Sequence, residues 1–131
     1  MSSLLNISWG ITAFLQNKVS VVVVFFLLAA GGSLLRWGLQ NSGRWSKSAG
    51  TFVANIIASF LLGVLLGGSP SAETVTVIGT GFLGSFSTFS TVMMEVSDGL
   101  EDNRRLVAAV YLCLSVVAGV TAAFLGLEVG A

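Results

Sequence analysis

Residues Gly81 to Thr91 read Gly-Phe-Leu-Gly-Ser-Phe-Ser-Thr-Phe-Ser-Thr: five hydroxyl side chains, two glycines and no charge. They lie inside an uncharged run long enough to cross a bilayer. Such a composition suits a helix that is broken, or that faces a polar path, because uncovered backbone at bilayer depth survives only inside protein or against water. The chemistry on offer is that of dipoles, hydroxyls and ring edges. Phe82, Phe86 and Phe89 recur at helical spacing, which by itself reads as core packing or lipid contact. A phenyl ring is also electropositive at its edge. A small anion stripped of water could rest against ring edges while Ser, Thr and Asn side chains donate hydrogen bonds. A path without basic residues fits conduction, which needs binding weak enough for the ion to leave.

Few other residues could do chemistry. The chain has no histidine, and its only cysteine, Cys113, is read as a packing residue within an apolar run. Carboxylates fall near the ends of the apolar runs or between them. A nucleophile paired with a base, or a pair of acids, is what hydrolysis or group transfer inside a membrane requires, so an enzyme is excluded for want of parts. Asn55 stands out, because a carboxamide in hydrocarbon needs partners. It either bonds a neighbouring helix or lines a pore. Ser59, Gly63 and Gly67 follow it at four-residue spacing and read as a close-packing stripe, as do Ser115, Gly119, Ala122 and Gly126. Tyr111 lies one turn before Ser115, so the two hydroxyls can share a face.

The elements that position these residues follow from charge. Of 131 residues, 54% are hydrophobic and only 9% charged, against about 25% charged in soluble domains. Lys18 and Arg36 bracket 17 uncharged residues, Lys47 and Glu73 bracket 25, Glu73 and Glu95 bracket 21, and Arg105 and Glu128 bracket 22. About 20 apolar residues span the hydrocarbon. The expectation is an all-α membrane protein with four spans, about 19–39, 51–67, 74–96 and 106–127, the third broken. Residues 19–128 form one transmembrane domain. Residues 1–18 form an extension, either interfacial or disordered. Because three more spans follow the first, it is read as a membrane helix and not a signal peptide.

Lys and Arg in short loops set orientation. Arg44 and Lys47 lie between spans one and two, Arg104 and Arg105 between three and four, and only Lys18 on the opposite side. Leaving Arg36 aside, the bias is four against one, which predicts both termini outside and the basic loops in the cytoplasm.

Three motifs then resemble one family, the Fluc fluoride channels, also called CrcB-like proteins. They are Arg36-Trp37 at the end of span one, Gly50-Thr51-Phe52-Val53-Ala54-Asn55 opening span two, and Gly81 to Thr91 followed by Glu95. The resemblance covers residues 28–127. It implies small subunits that pair antiparallel, enclose two fluoride pores and export cytoplasmic fluoride passively across the plasma membrane (the inner membrane in a Gram-negative source). It implies that Asn55, Phe89, Ser90, Thr91, Tyr111 and Ser115 line the fluoride path, with Arg36 and Glu95 at the pore mouth. It also implies that the backbone carbonyls of Gly84 and Ser87, doubled by a partner subunit, hold a structural sodium ion.

The chain departs from the family pattern at Val92, where a second phenylalanine is usual. A homodimer would carry two such ring-lining phenylalanines, not four. Together with the loop charge bias, this leaves two pairings open: a homodimer, or a heterodimer with an oppositely oriented paralogue that supplies the missing phenylalanine. Two other readings compete with this one. A small multidrug exporter needs a carboxylate in the first span, and none is present. A non-transporting scaffold accounts for the glycine stripes but not for five hydroxyls beside Phe89.

Overall fold

Hydroxyl side chains set where three of the helices begin. The Ser46 side chain accepts from the Ala49 amide at 3.3 Å, Ser71 from Thr74 at 3.2 Å, and Thr88 from Thr91 at 3.3 Å. Each satisfies one of the amides that a helix start leaves without an intrahelical partner. The structure is a computed structural model that describes residues 2–43 and 46–131, with side chains from residue 17 onward. Arg44, counted above among the loop charges, lies outside the described residues.

Helix α1 is Ser2–Gln40 and α2 is Lys47–Gly67. Helix α3 begins with Ala72–Thr74, widens into π-helical turns over Val75–Leu83, and closes with Gly84–Phe86. After two extended residues, α4 runs Phe89–Glu101, and α5 is Arg105–Gly130. No strand occurs among the described residues. Among the described residues, four spans are long and apolar enough to cross a membrane: Asn17–Gln40, Lys47–Gly67, Ala72–Glu101 (α3 and α4 together) and Arg105–Gly130. They overrun the expected spans by one to five residues at most ends, because the caps and not the charges stop the helices. The α4–α5 turn shows this. Asn103 adopts φ 58°, and the Arg104 amide closes onto the Gly99 carbonyl at 2.8 Å. Left-handed backbone is tolerated best by Gly and Asn.

The most extensive helix pairing is α2 on α5, and it is glycine-built. A Cβ on Gly63 would collide with the Ala123 carbonyl, one on Gly126 with the Phe60 carbonyl, and one on Gly130 with the Val64 carbonyl. The two small-residue stripes therefore mesh backbone to backbone, as their four-residue spacing implies. Helix α1 approaches α3 in the same way, with Gly32 against the Phe82 carbonyl and the Phe25 ring over Gly81. Phe86 is buried with Ala54 and Ala58, beside Leu39, and stacks on Phe82 with ring centroids 6.1 Å apart. The packing reading of these two rings holds, whereas Phe89 faces outward. Cys113, expected to pack, is exposed on α5: its helix contacts the rest of the chain along the glycine face, and Cys113 lies off that face.

Candidate functional site

The break between α3 and α4 is the organising feature. Gly79 and Gly81 sit within the π-helical turns, where the Gly84 amide reaches back to the Gly79 carbonyl. Wide turns of this kind concentrate at functional positions. Ser87 (φ −81°, ψ 161°) and Thr88 (φ −158°, ψ 122°) are then extended; the Ser87 amide still reaches the Leu83 carbonyl at 2.9 Å, but the Ser87 carbonyl and the Thr88 peptide groups leave the helical ladder and need partners from elsewhere.

Two other helices supply them. Asn55 on α2 grips Thr88 on both sides: its Nδ2 donates to the Thr88 carbonyl at 3.0 Å, and its Oδ1 accepts from the Thr88 amide at 2.7 Å. This is the pairing of two backbone amides, made by one side chain. One Nδ2 hydrogen remains for another acceptor. Arg36 on α1 donates from Nη1 to the Ser87 carbonyl at 3.2 Å. Its positive charge sits where the carbonyl-rich end of α3 is most negative. Arg36 was expected at the pore mouth, and the structure gives it this bond at the helix break.

Because Asn55 holds the N-cap of α4, the first turn of α4 starts beside the carboxamide. A helix start presents free amides and a partial positive charge, a ready environment for an anion. A groove of about 310 Å³ opens there, lined by Asn55, Ser59, Phe89, Val92, Ser115 and Gly119 among others. No charged side chain among the described residues lines it. The Phe89 ring is 66% exposed at its rim, whereas Val92 is only 1% exposed. Val92 is therefore part of the packed interior. The Ser115 hydroxyl donates to the Tyr111 carbonyl at 2.8 Å, which leaves its oxygen facing the groove as an acceptor until the hydroxyl turns. Ser90 and Thr91 contact the Thr88 hydroxyl at 3.2 and 3.1 Å.

A second cluster lies toward the end of the molecule bearing Lys47 and Arg104. Glu95 receives the Thr51 hydroxyl on Oε1 at 2.8 Å and the Tyr111 hydroxyl on Oε2 at 2.6 Å. Thr51 in turn accepts from Gln40 Nε2 at 3.0 Å. Glu95 borders two grooves, one of about 540 Å³ with Trp37, Gln40, Lys47 and Thr91, and one of about 310 Å³ with Ser48, Asp102, Arg104 and Tyr111.

Six of the expected site residues fall into two groups. Asn55, Phe89 and Ser115 meet in the uncharged groove, while Thr91, Glu95 and Tyr111 meet at the charged end. Gly84 and Ser87 flank a small cavity of about 90 Å³ with Ser59 and Gly79. Sequence reasoning missed Gln40, which reads as the polar end of a helix. Thr51 belongs to the Gly50–Asn55 motif, and its position four residues before Asn55 puts both on one face. Thr91 with Glu95, and Tyr111 with Ser115, repeat that spacing.

Comparison with known proteins gives a consistent result. A family model described as CrcB-like protein, Camphor Resistance (CrcB), matches residues 23–127. The chain is 36% identical over 106 residues to a fluoride-specific ion channel, FluC 1, of Geobacillus kaustophilus, covering 81% of this chain and 90% of that protein. It is 38% identical over 105 residues to fluoride-specific ion channel FluC 2 of Rhodococcus jostii, covering 76% and 92%. Similarity to FluC 1 of Streptococcus pneumoniae is 36% over 109 residues, covering 82% and 98%.

Proposed function

The chain belongs to the CrcB-like family, and from that premise we propose how its own residues carry fluoride. It is a multi-pass membrane protein and a passive fluoride channel, not an enzyme. The observation that carries the mechanism is the meeting of the Asn55 carboxamide and the start of α4 in a groove without charged side chains.

Fluoride entering this groove exchanges water for the spare Asn55 N–H, the first-turn amides of α4 other than that of Thr91, which the Thr88 hydroxyl caps, the Phe89 ring edge and the Ser115 hydroxyl once it turns from the Tyr111 carbonyl. Each donor is neutral, so the ion is held weakly enough to move on. From there it passes Ser90 and Thr91 toward the mouth formed by Glu95 and Tyr111. Fluoride is small and accepts hydrogen bonds strongly, which favours it over chloride in a narrow, donor-lined path.

The groove is open along Phe89, with Val116 and Val120 half exposed at its rim. An apolar rim beside a polar floor is the form expected of half a pore, and a second subunit packed antiparallel would close it. The basic loops lie at one end, where Ser48 and Arg104 border a common groove. Lys and Arg bias places that end in the cytoplasm of a cell whose plasma membrane holds the channel. The carbonyls of Gly84 and Ser87 are neutral oxygen donors beside a small cavity, and the Ser87 carbonyl keeps a lone pair after its bond to Arg36. With a partner's matching pair they would hold a sodium ion, which supplies a fixed positive charge to the dimer centre. The thermal unfolding temperature is expected to be higher in sodium than in an equal concentration of N-methylglucamine. Equal temperatures would remove the sodium proposal.

Val92 and the loop charge bias favour pairing with an oppositely oriented paralogue. The numbered names FluC 1 and FluC 2 among the relatives are what paired paralogues would carry. Fluoride efflux from liposomes, with chloride as control, tests both levels. Fluoride-selective efflux from the purified chain alone establishes the channel and rules out an obligatory paralogue. Efflux that starts only when the paralogue is added supports the heterodimer. Silence in both cases defeats the channel reading.

A further inference from the structure

Gln40 is the last residue of α1 and has no assigned part in the fluoride path. Its Nε2 donates to Thr51 Oγ1 at 3.0 Å. Thr51 is fully buried, and its hydroxyl oxygen stands 3.1 Å from the Lys47 carbonyl and 2.8 Å from Glu95 Oε1. A hydroxyl carries one proton and two lone pairs. With Gln40 donating into one lone pair, the proton has only the carbonyl or the carboxylate to go to. The carboxylate is nearer and charged, and charge-assisted bonds are the stronger kind. Gln40, by presenting an N–H and not its carbonyl, offers that proton no competing acceptor, and by polarising the hydroxyl it strengthens the bond from Thr51 to Glu95. The second Glu95 oxygen takes the Tyr111 hydroxyl at 2.6 Å. One hydrogen-bond chain, Gln40 to Thr51 to Glu95 and back from Tyr111, therefore ties α1, α2, α4 and α5 together at the charged end.

We propose that Gln40 is a positioning residue for fluoride passage, acting through the Thr51 hydroxyl to pin the Glu95 carboxylate against Tyr111. Thr91 and Glu95 border the same groove, so a carboxylate released from this grip can swing across the route that an anion takes past Thr91. Its charge would then oppose the ion directly. Pinned, the charge stays to one side.

This inference rests on the channel reading, so its experiment has one readout that needs no transport. The carboxylate stretch of Glu95 is assigned in the infrared spectrum by its loss in Glu95→Gln. Gln40→Leu removes the donor. Gln40→Glu keeps the size but presents an acceptor, which draws the Thr51 proton away from Glu95. Both are expected to shift the Glu95 band and to slow fluoride efflux about tenfold. Thr51→Val is expected to do the same, and Thr51→Ser to restore most of the loss. Gln40→Leu combined with Thr51→Val should be no slower than the slower single variant, as befits residues acting in series. An unmoved Glu95 band in both Gln40 variants overturns the proposal, as does a double variant whose losses multiply. Absence of efflux from the unaltered protein would count against the channel reading, and the infrared band would still decide this one.

Discussion

Asn55→Asp is expected to abolish fluoride efflux, by a hundredfold or more, in protein that still folds. Two effects act together. The carboxylate has no N–H to give to the Thr88 carbonyl, so one of the two bonds at the break is lost and two oxygens confront each other. A bond of this kind contributes about 1 kcal/mol net, and leaving its partner unmet costs about 1–3 kcal/mol. The second effect is larger. Two unit charges about 4 Å apart repel by about 4 kcal/mol at an effective dielectric of about 20. At about 1.4 kcal/mol per tenfold, that approaches a thousandfold loss. Size-exclusion profile and helical circular dichroism check folding, and liposome efflux checks flux. Near-normal efflux from a folded Asn55→Asp protein would show that the ion does not pass this carboxamide.

Gly126→Ala is expected to damage the fold itself. The added carbon would collide with the Phe60 carbonyl and stand 2.9 Å from the Val64 amide nitrogen. Both are backbone atoms and cannot swing aside, so α2 and α5 must separate. Overpacking of this kind costs about 3 kcal/mol or more, and at about 4 °C per kcal/mol the unfolding temperature in detergent should fall by about 10 °C. Gly126→Leu should yield no folded protein. Gly38→Ala is the control: nothing lies within 4 Å of a Cβ at Gly38, and alanine is the better helix former, so stability should hold or rise slightly. A Gly126→Ala protein that melts with the unaltered one would mean that the helices have slack that the structure does not show.

The two variants also mark what can be read from the chain. The meshing of α2 and α5 is legible because small residues recur every four positions in both helices, and helical spacing alone puts them on one face each. The four spans are legible because charge is so scarce that its positions cut the chain into membrane lengths. The break in the third span is legible because hydroxyls and glycines crowd one uncharged stretch. The pairing of Asn55 with Thr88 is not. Sequence says that a buried carboxamide needs a partner, and leaves a neighbouring helix and a passing ion equally open. The structure gives it a backbone partner, with one N–H to spare. Arg36 is similar: its place at the end of span one is plain, but its bond to the Ser87 carbonyl depends on how α1 lies against the break.

What the sequence by itself determined is the class of the protein, its spans, the broken third helix and the set of polar side chains in it. These follow from composition and period, which are local along the chain. Tertiary structure alone decided which polar groups meet: Asn55 with Thr88, Arg36 with Ser87, and Gln40, Thr51, Glu95 and Tyr111 in one chain of bonds. It also decided that Val92 is buried while Phe89 faces outward. Spacing fixes the face on which a residue sits, but the rotation and register of one helix against another determine what that face touches. Those depend on backbone contacts such as Gly126 against Phe60, which arise only once the helices pack.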